Sequence, residues 1–116
     1  MNKFHKKLIF KKIRFADGLP ELILSGKKTS TWRINDEKKV EAGDIISLCG
    51  NNKEEFAKAL VKEVKMVAFS KMTKQDKDGH ETYASKKDML AKFSKYYGFE
   101  VKMETEVKII KFKIID

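Results

Sequence analysis

The order of apolar runs along this chain constrains its fold more than any other feature. Five runs rich in β-branched and aromatic residues predict strands, whereas apolar residues recur at helical spacing in few segments. A doubly wound sheet needs a helix between most of its strands, so this order excludes it. We therefore expect one α+β domain over residues 1–116, a small mixed β-barrel flanked by two to three helices. The predicted strands cover residues 7–13, 29–34, 45–49, 56–69 and 107–115.

Local signals place the helices between these strands. The first helix is predicted to start with Asp17 as its N-cap and Pro20 in its first turn, and to end at Ser25-Gly26. Residues 72–79 predict a short helical turn, and Ser85 with Asp88 resembles a capping box that opens a last helix, stopped by Gly98. The predicted core stripe of that helix is Met89, Leu90, Phe93, Tyr96 and Tyr97.

The strand predicted over residues 56–69 is unusually long. Its apolar residues alternate only in part, so we expect it to be bent or bulged. A helical start over residues 54–57 is the alternative.

The chain is strongly basic, with 26 Lys and Arg residues against 17 acids and a formal charge of +9. This excess favours RNA, a nucleoside or a nucleotide as the partner, although a lysine-rich chain kept soluble by its charge has the same composition. If the two terminal strands are neighbours, their cations form one basic face. Those cations are Lys3, Lys6, Lys7, Lys11, Lys12, Arg14, Lys108, Lys111 and Lys113.

Several classes of protein are excluded by what the sequence contains. The first residues hold only Leu8-Ile9-Phe10 as an apolar run, too short for a signal peptide or a membrane span. The single cysteine, Cys49, allows no intramolecular disulfide and predicts an inert core thiol. With two separated histidines and one cysteine we expect no metal and no cofactor. A cytoplasmic protein without a membrane partner, with a monomer favoured, is the expectation.

Residues 25–33 are the richest in functional chemistry, because cations and hydroxyls cluster where a helix runs into a strand. Gly26 permits the positive φ that ends a helix. The hydroxyls and the guanidinium of Arg33 suit phosphate, carbonyl or carboxylate groups. The alternative is a glycine C-cap followed by an ordinary threonine-rich edge strand.

The spacing of Gly26, Lys28 and Arg33 resembles the signature of ASCH domains, which have a PUA-like barrel. Three other segments agree in order: Gly43-Asp44 before a strand, residues 78–81 before the aromatic helix, and the terminal strand at residues 109–112. Many ASCH domains carry Glu between that Lys and Arg, whereas this chain has Thr31. In this it is similar to the branch that hydrolyses N4-acetylcytidine.

The resemblance implies functional residues one by one. Lys28, Thr31 and Glu81 match the catalytic group of that branch, with Asp78 as the alternative carboxylate. The residues implied to bind the nucleoside or RNA are Gly26, Lys27, Arg33 and His80. A non-catalytic RNA-binding module and a single-strand ribonuclease are the competing functions.

Amide hydrolysis needs a nucleophile, a proton acceptor and charge stabilisation. Thr31 can be the nucleophile if Lys28 takes its proton, which requires burial and neighbouring cations such as Lys27 and Arg33 to lower the pKa of that lysine. Glu81 can either deprotonate a water or hold Lys28 in place. Because side chains alternate along a strand, Lys28 and Thr31 would point to opposite faces if both lay in the strand. The catalytic hypothesis therefore requires Lys28 to lie in the turn before the strand begins. Trp32 either packs in the core or stacks on a base.

Overall fold

The computed structural model describes residues 10–115. Four strands and a short helix come first: β1 (Lys11–Arg14), α1 (Leu19–Leu24), β2 (Ser30–Arg33), β3 (Ile45–Cys49) and β4 (Glu55–Ala68). A 3₁₀ turn (Phe69–Lys71), α2 (Lys74–Lys77), α3 (Lys86–Tyr97) and β5 (Glu106–Ile115) complete the chain. None of these helices is long and apolar enough to cross a membrane within residues 10–115.

The five strands form one sheet in the order β1-β3-β4-β5-β2. β1 runs parallel to β3, and the other pairs are antiparallel. The sheet curls into a half-barrel with three helices beside it. This confirms the predicted mixed α+β architecture.

The expected common basic face of the terminal strands is wrong for the described residues. β4 pairs with β3 along one edge and with β5 along the other. It therefore separates β1, with Lys11, Lys12 and Arg14, from the lysines of β5. The predicted start of the first strand at residues 7–9, and the cations Lys3, Lys6 and Lys7, lie outside the described residues.

β4 is the bent strand that the sequence predicts. Its register against β5 shifts between Val61 and Glu63, the mark of a bulge. The alternative of a helical start over residues 54–57 is wrong, because Glu55 already pairs with Cys49 of β3.

The helix termini confirm most of the predicted caps. The Ser85 hydroxyl accepts a hydrogen bond from the Asp88 amide at 3.0 Å, and α3 ends at Gly98. Asp17 as the N-cap of α1 is wrong, since the helix begins one residue later behind Gly18 and has no side-chain cap. Pro20 does lie in the first turn of α1.

Two apolar clusters pack on opposite faces of the sheet. Thr31 pairs with Ile110 and Trp32 with Ile109, so successive residues of β2 face different clusters. The inner cluster comprises Ile13, Phe15, Ile23, Val40, Ile46, Leu48, Ala59, Val61, Ile110 and Phe112. The outer cluster comprises Trp32, Ile34, Phe69, Met89, Val101, Val107 and Ile109.

The outer cluster explains one error in the predicted core of α3. Met89 is buried and Leu90, Phe93 and Tyr97 pack against the cluster, as the spacing predicts. Tyr96 is 63% exposed instead. Tyr96 lies about 100° around the helix from Tyr97. Because Tyr97 already fills the last core position, Tyr96 lies beside the core.

Candidate active site

A cleft of about 370 Å³ opens where the sheet edge at β1 and β2 faces α3. Because β1 and β2 are the two edges of the curled sheet, no strand within residues 10–115 fills the gap between them. The lining comes from the β1–α1 junction, β2, the loop after α2, and α3. The polar residues that line it include Arg14, Lys28, Thr31, Arg33, His80 and Glu81.

Lys28 lies between α1 and β2, in the turn that the catalytic hypothesis requires. The turn follows Gly26, whose φ of 83° suits glycine and ends the helix. The Lys28 amide donates to the Leu22 carbonyl at 3.1 Å. β2 begins only at Ser30, so the alternation of side-chain directions along the strand does not apply to Lys28. It is 3% exposed and lines the cleft.

The loop after α2 brings Glu81 to Lys28 across a long stretch of sequence. The Thr29 amide donates to the Gly79 carbonyl at 2.8 Å, which ties the loop to the start of β2. At residue 79 a Cβ atom would lie 2.1 Å from Oγ1 of Thr29, and φ is +81°. Only glycine fits this close approach. The Glu81 carboxylate then forms an ion pair with the Lys28 amine.

His80 occupies the wall of the cleft with a fixed orientation. Its ring stacks on Trp32 with a centroid distance of 3.7 Å and an interplanar angle of 12°. Nδ1 lies 3.0 Å from the Glu81 carbonyl oxygen and 3.5 Å from a Glu81 carboxylate oxygen. Since both neighbours only accept hydrogen bonds, Nδ1 carries the proton of the neutral ring. Nε2 is then left as an acceptor.

Burial and charge shift the pKa values of this group. Burial lowers the pKa of Lys28, and the Arg33 guanidinium acts in the same direction, against the opposing pull of Glu81. Burial, together with the Lys28 charge, lowers the pKa of His80 to about 4, so the imidazole is neutral at pH 7. Burial opposes ionisation of Glu81, but the Lys28 ammonium, together with His80 at acid pH where that ring is protonated, holds the pKa of Glu81 below its ordinary value. The site therefore combines a carboxylate with a lysine that loses its proton more easily than usual.

Arg33 joins the two edges of the sheet beside the cleft. Its Nη1 donates to the Arg14 carbonyl at 3.3 Å. The guanidinium also lies 5.8 Å from the centroid of the Phe15 ring. These contacts orient a cation toward the space that a ligand would fill.

The structure brings together most of the residues that the resemblance implies. Lys28, Thr31, Arg33, His80 and Glu81 all line the cleft, whereas Gly26 and Lys27 are exposed and do not. Glu81, and not Asp78, pairs with Lys28; Asp78 follows α2 and is exposed. Trp32 packs in the outer core, and Cys49 is buried.

Sequence reasoning missed several lining residues. The sequence predicts Arg14 as part of a basic face of the terminal strands and Tyr96 as core, and it gives no role to Tyr83 or Lys92, yet all four line the cleft. The spacing of Lys92 and Tyr96, four residues apart on one helix, was the available signal. Burial and the Glu81 and Asp88 carboxylates raise the pKa of Tyr83, which stays protonated. Within residues 10–115 no three His, Cys, Asp or Glu side chains cluster as metal ligands do.

A curled mixed sheet with helices at its open edge places the chain in the class of PUA-like α+β domains. The ASCH domain family model matches residues 6–116. The chain therefore belongs to the ASCH domain family. No curated protein matches it.

Solved structures agree with this fold. Protein EF3133 from Enterococcus faecalis V583 aligns with a TM-score of 0.76 at 16% identity, covering 99% of this chain and 86% of its own. An ASCH domain from Lactobacillus crispatus JV V101 gives 0.62 at 15% identity, covering 90% and 79%. A mutant of ZmASCH from Zymomonas mobilis gives 0.61 at 15% identity, covering 90% and 72%. At these identities the likeness concerns the fold alone.

Proposed function

We propose that this ASCH domain binds a pyrimidine nucleoside in the cleft and hydrolyses the amide of N4-acetylcytidine. The observation that carries the proposal is the ion pair between the buried Lys28 and the partly exposed Glu81, which shares the cleft with the Thr31 hydroxyl. Burial lowers the pKa of Lys28 although the Glu81 carboxylate opposes this effect, and a lysine with a lowered pKa can act as a general base. A structural ion pair needs no such position at the wall of a cleft.

The dimensions and lining of the cleft suit one nucleoside. Its volume of about 370 Å³ lies at the small end of known ligand sites. Phe15 and Phe93 supply apolar lining for a base. In this proposal His80 Nε2 accepts a hydrogen bond from the amide N–H of the ligand, and Arg33 binds its ring carbonyl or its ribose.

The proposed reaction balances with these residues alone. The Thr31 oxygen attacks the acetyl carbon while its proton passes to the Lys28 amine. The C–N bond then breaks, and N4 takes the proton from Lys28 as cytidine leaves. Water attacks the acetyl-threonine ester and gives a proton to the same amine. The ester C–O bond then breaks, the Thr31 oxygen takes that proton back from Lys28, and acetic acid leaves and ionises to acetate. Glu81 holds the amine in place through both steps.

The test follows conversion of N4-acetylcytidine to cytidine by the parent and three variants. Lys28→Met and Thr31→Val each remove one reacting group at similar size, and we expect turnover to fall roughly 10²- to 10⁴-fold in both. Lys27→Met is the matched control, because this neighbour is exposed and outside the cleft. It should retain parental turnover.

Two results would contradict the proposal. Equal turnover in the parent and in Thr31→Val would exclude Thr31 as the nucleophile. Absence of turnover in the parent would exclude hydrolysis of N4-acetylcytidine altogether.

Non-catalytic RNA recognition is the second candidate, and the charge of +9 favours it. Under this alternative Lys28 and Arg33 contact phosphates. Substitution of either residue then weakens RNA binding, and the parent does not hydrolyse N4-acetylcytidine. Shortening of an unacetylated RNA oligomer in the same assay would instead indicate a single-strand ribonuclease.

A further inference from the structure

Tyr96 is an aromatic ring held at the mouth of the cleft with most of its surface in solvent. It is 63% exposed, although exposed aromatic rings of this size are costly to leave in water. Its ring packs edge-on against Tyr97, with centroids 5.1 Å apart at 79°. Tyr97 is itself fixed, because its hydroxyl accepts a hydrogen bond from the Ile34 amide at 3.1 Å. A rigid aromatic surface therefore faces outward beside the site.

Two cations share this rim. Lys92 lies one helical turn before Tyr96, on the same side of α3, and Arg14 lies across the cleft at the end of β1. Both are exposed and line the cleft. Lys92 Nζ contacts the Asp88 carboxylate at 3.3 Å. The same amine lies 5.7 Å from the centroid of the Tyr83 ring. An ammonium group has three donors, so these two contacts leave Lys92 able to bind a phosphate oxygen.

The size of the cleft makes the rim relevant to a longer ligand. A volume of about 370 Å³ accommodates one nucleoside and not two. A strand that places one base in the cleft must therefore carry its next phosphate and base over the rim. Cations flanking an aromatic ring are the combination that binds single-stranded nucleic acid without reading its sequence.

We infer that Tyr96, Lys92 and Arg14 form a subsite for the nucleotide that flanks the cleft-bound base in a single-stranded RNA. The neighbouring base stacks on Tyr96, and the intervening phosphate binds Lys92 and Arg14. This inference rests on the proposed function only in placing a base in the cleft. It makes the substrate class a modified residue within a strand rather than a free nucleoside.

The experiment compares binding of N4-acetylcytidine with binding of a trinucleotide that has the same residue at its centre. Thr31→Val serves as the background, so that the ligand stays intact. We expect the trinucleotide to bind at least tenfold more tightly than the nucleoside. Tyr96→Ala should weaken trinucleotide binding roughly 5- to 100-fold and nucleoside binding less than twofold, whereas Tyr96→Phe should keep both.

Matched controls lie on the same surface. Phe99 is a partly exposed aromatic residue and Lys95 an exposed lysine of α3, and neither lines the cleft. Phe99→Ala and Lys95→Ala should leave both affinities unchanged. Lys92→Ala should reduce the salt dependence of trinucleotide binding by about 0.7 in the log–log slope.

The outcomes separate this inference from the proposed function. Equal affinities for nucleoside and trinucleotide, or an equal loss of both in Tyr96→Ala, would overturn the subsite while leaving hydrolysis of the nucleoside intact. Binding that depends on Tyr96, with no deacetylation by the protein carrying Thr31, would support the subsite and overturn the hydrolase. If neither ligand binds, both ideas fail.

Discussion

Two lysine–carboxylate pairs in this protein have opposite arrangements of the buried charge. In the cleft the lysine is buried, since Lys28 is 3% exposed and its partner Glu81 is 28% exposed. At α2 the carboxylate is buried, since Asp76 is 6% exposed and its partner Lys65 is 42% exposed. The partners of the first pair are 53 residues apart in the chain, and those of the second pair are 11 residues apart.

The number of hydrogen bonds that each buried charge makes does distinguish them. Asp76 accepts from the Thr73 amide at 2.9 Å and from Lys65 at 2.9 and 3.2 Å. The described contacts of the Lys28 amine amount to one, with Glu81. Hydrogen bonds from the Thr73 amide and from Lys65 lower the pKa of Asp76 and outweigh burial, which acts in the opposite direction. For Lys28 burial prevails and lowers the pKa, so the site makes its own charge less stable.

This difference indicates which pair serves folding and which serves chemistry. A buried charge with all its partners stabilises its surroundings, whereas a poorly satisfied one persists where function requires it. Substitution of Lys28 should therefore lower turnover, whereas substitution of Asp76 should lower the free energy of unfolding.

The largest effect is expected for Lys28→Met on turnover of N4-acetylcytidine. Turnover should fall roughly 10²- to 10⁴-fold, while the free energy of unfolding changes by less than about 1 kcal/mol, because Glu81 keeps contact with water. Rate measurements and urea unfolding on the same preparation check this. If stability falls with activity, Lys28 is a structural charge and the contrast with Asp76 disappears.

Asp76→Asn should have the converse effect. It removes the charge that Lys65 and the Thr73 amide bind, so we expect the protein to lose about 2 kcal/mol of unfolding free energy. Turnover, measured well below the new unfolding midpoint, should stay within twofold of the parent. Asp78→Asn is the matched control, since this neighbouring aspartate is exposed. A selective loss of turnover in Asp76→Asn would show that α2 positions the cleft loop.

The pH dependence of stability sharpens the same contrast, because stability rises with pH at both sites but in different windows, below pH 10.5 for Lys28 and below pH 3.8 for Asp76. The pKa of Lys28 is lowered on folding, so between that value and 10.5 the unfolded chain binds the extra proton. Stability contributed by this site therefore rises with pH in that window, by at most about 1.4 kcal/mol per pH unit. The pKa of Asp76 is lowered from 3.8, so its contribution is present above that pH and is lost on further acidification.

Urea unfolding of the parent and of Lys28→Met across alkaline pH measures the first effect. The stability of the parent relative to the variant should increase as pH rises toward 10.5. A constant difference would mean that Lys28 keeps its ordinary pKa in the folded protein. It could not then act as the proposed base.

The sequence predicted the local parts of this arrangement. Gly26 predicts where α1 ends, and Ser85 and Gly98 predict both ends of α3, because each acts on hydrogen bonds within a few residues. The turn conformation of Lys28 follows from Gly26 for the same reason. Strand positions follow from runs of β-branched residues.

The parts that depend on distant contacts could not be predicted from local pattern. The Lys28–Glu81 pair was reached through resemblance, because the Thr29–Gly79 hydrogen bond that creates it joins segments 50 residues apart. The position of β4 between β3 and β5 depends on pairing over the whole sheet. Asp76 lies in a polar stretch with nothing to distinguish it before the fold is known.

Lys65→Met has the smallest expected effect. It tests most directly whether Lys65 or the Thr73 amide stabilises the buried Asp76 carboxylate. The lysine amine is largely solvated, and exposed partners contribute little, so the loss should be about 0.5 kcal/mol. It should shrink further in 1 M NaCl, where the Debye length is about 3 Å. The Thr73 amide remains bonded to Asp76 in this variant and keeps the carboxylate satisfied. A loss equal to that of Asp76→Asn would mean that the buried aspartate depends on its lysine, as Lys28 depends on Glu81, and the two pairs would differ only in which partner is buried.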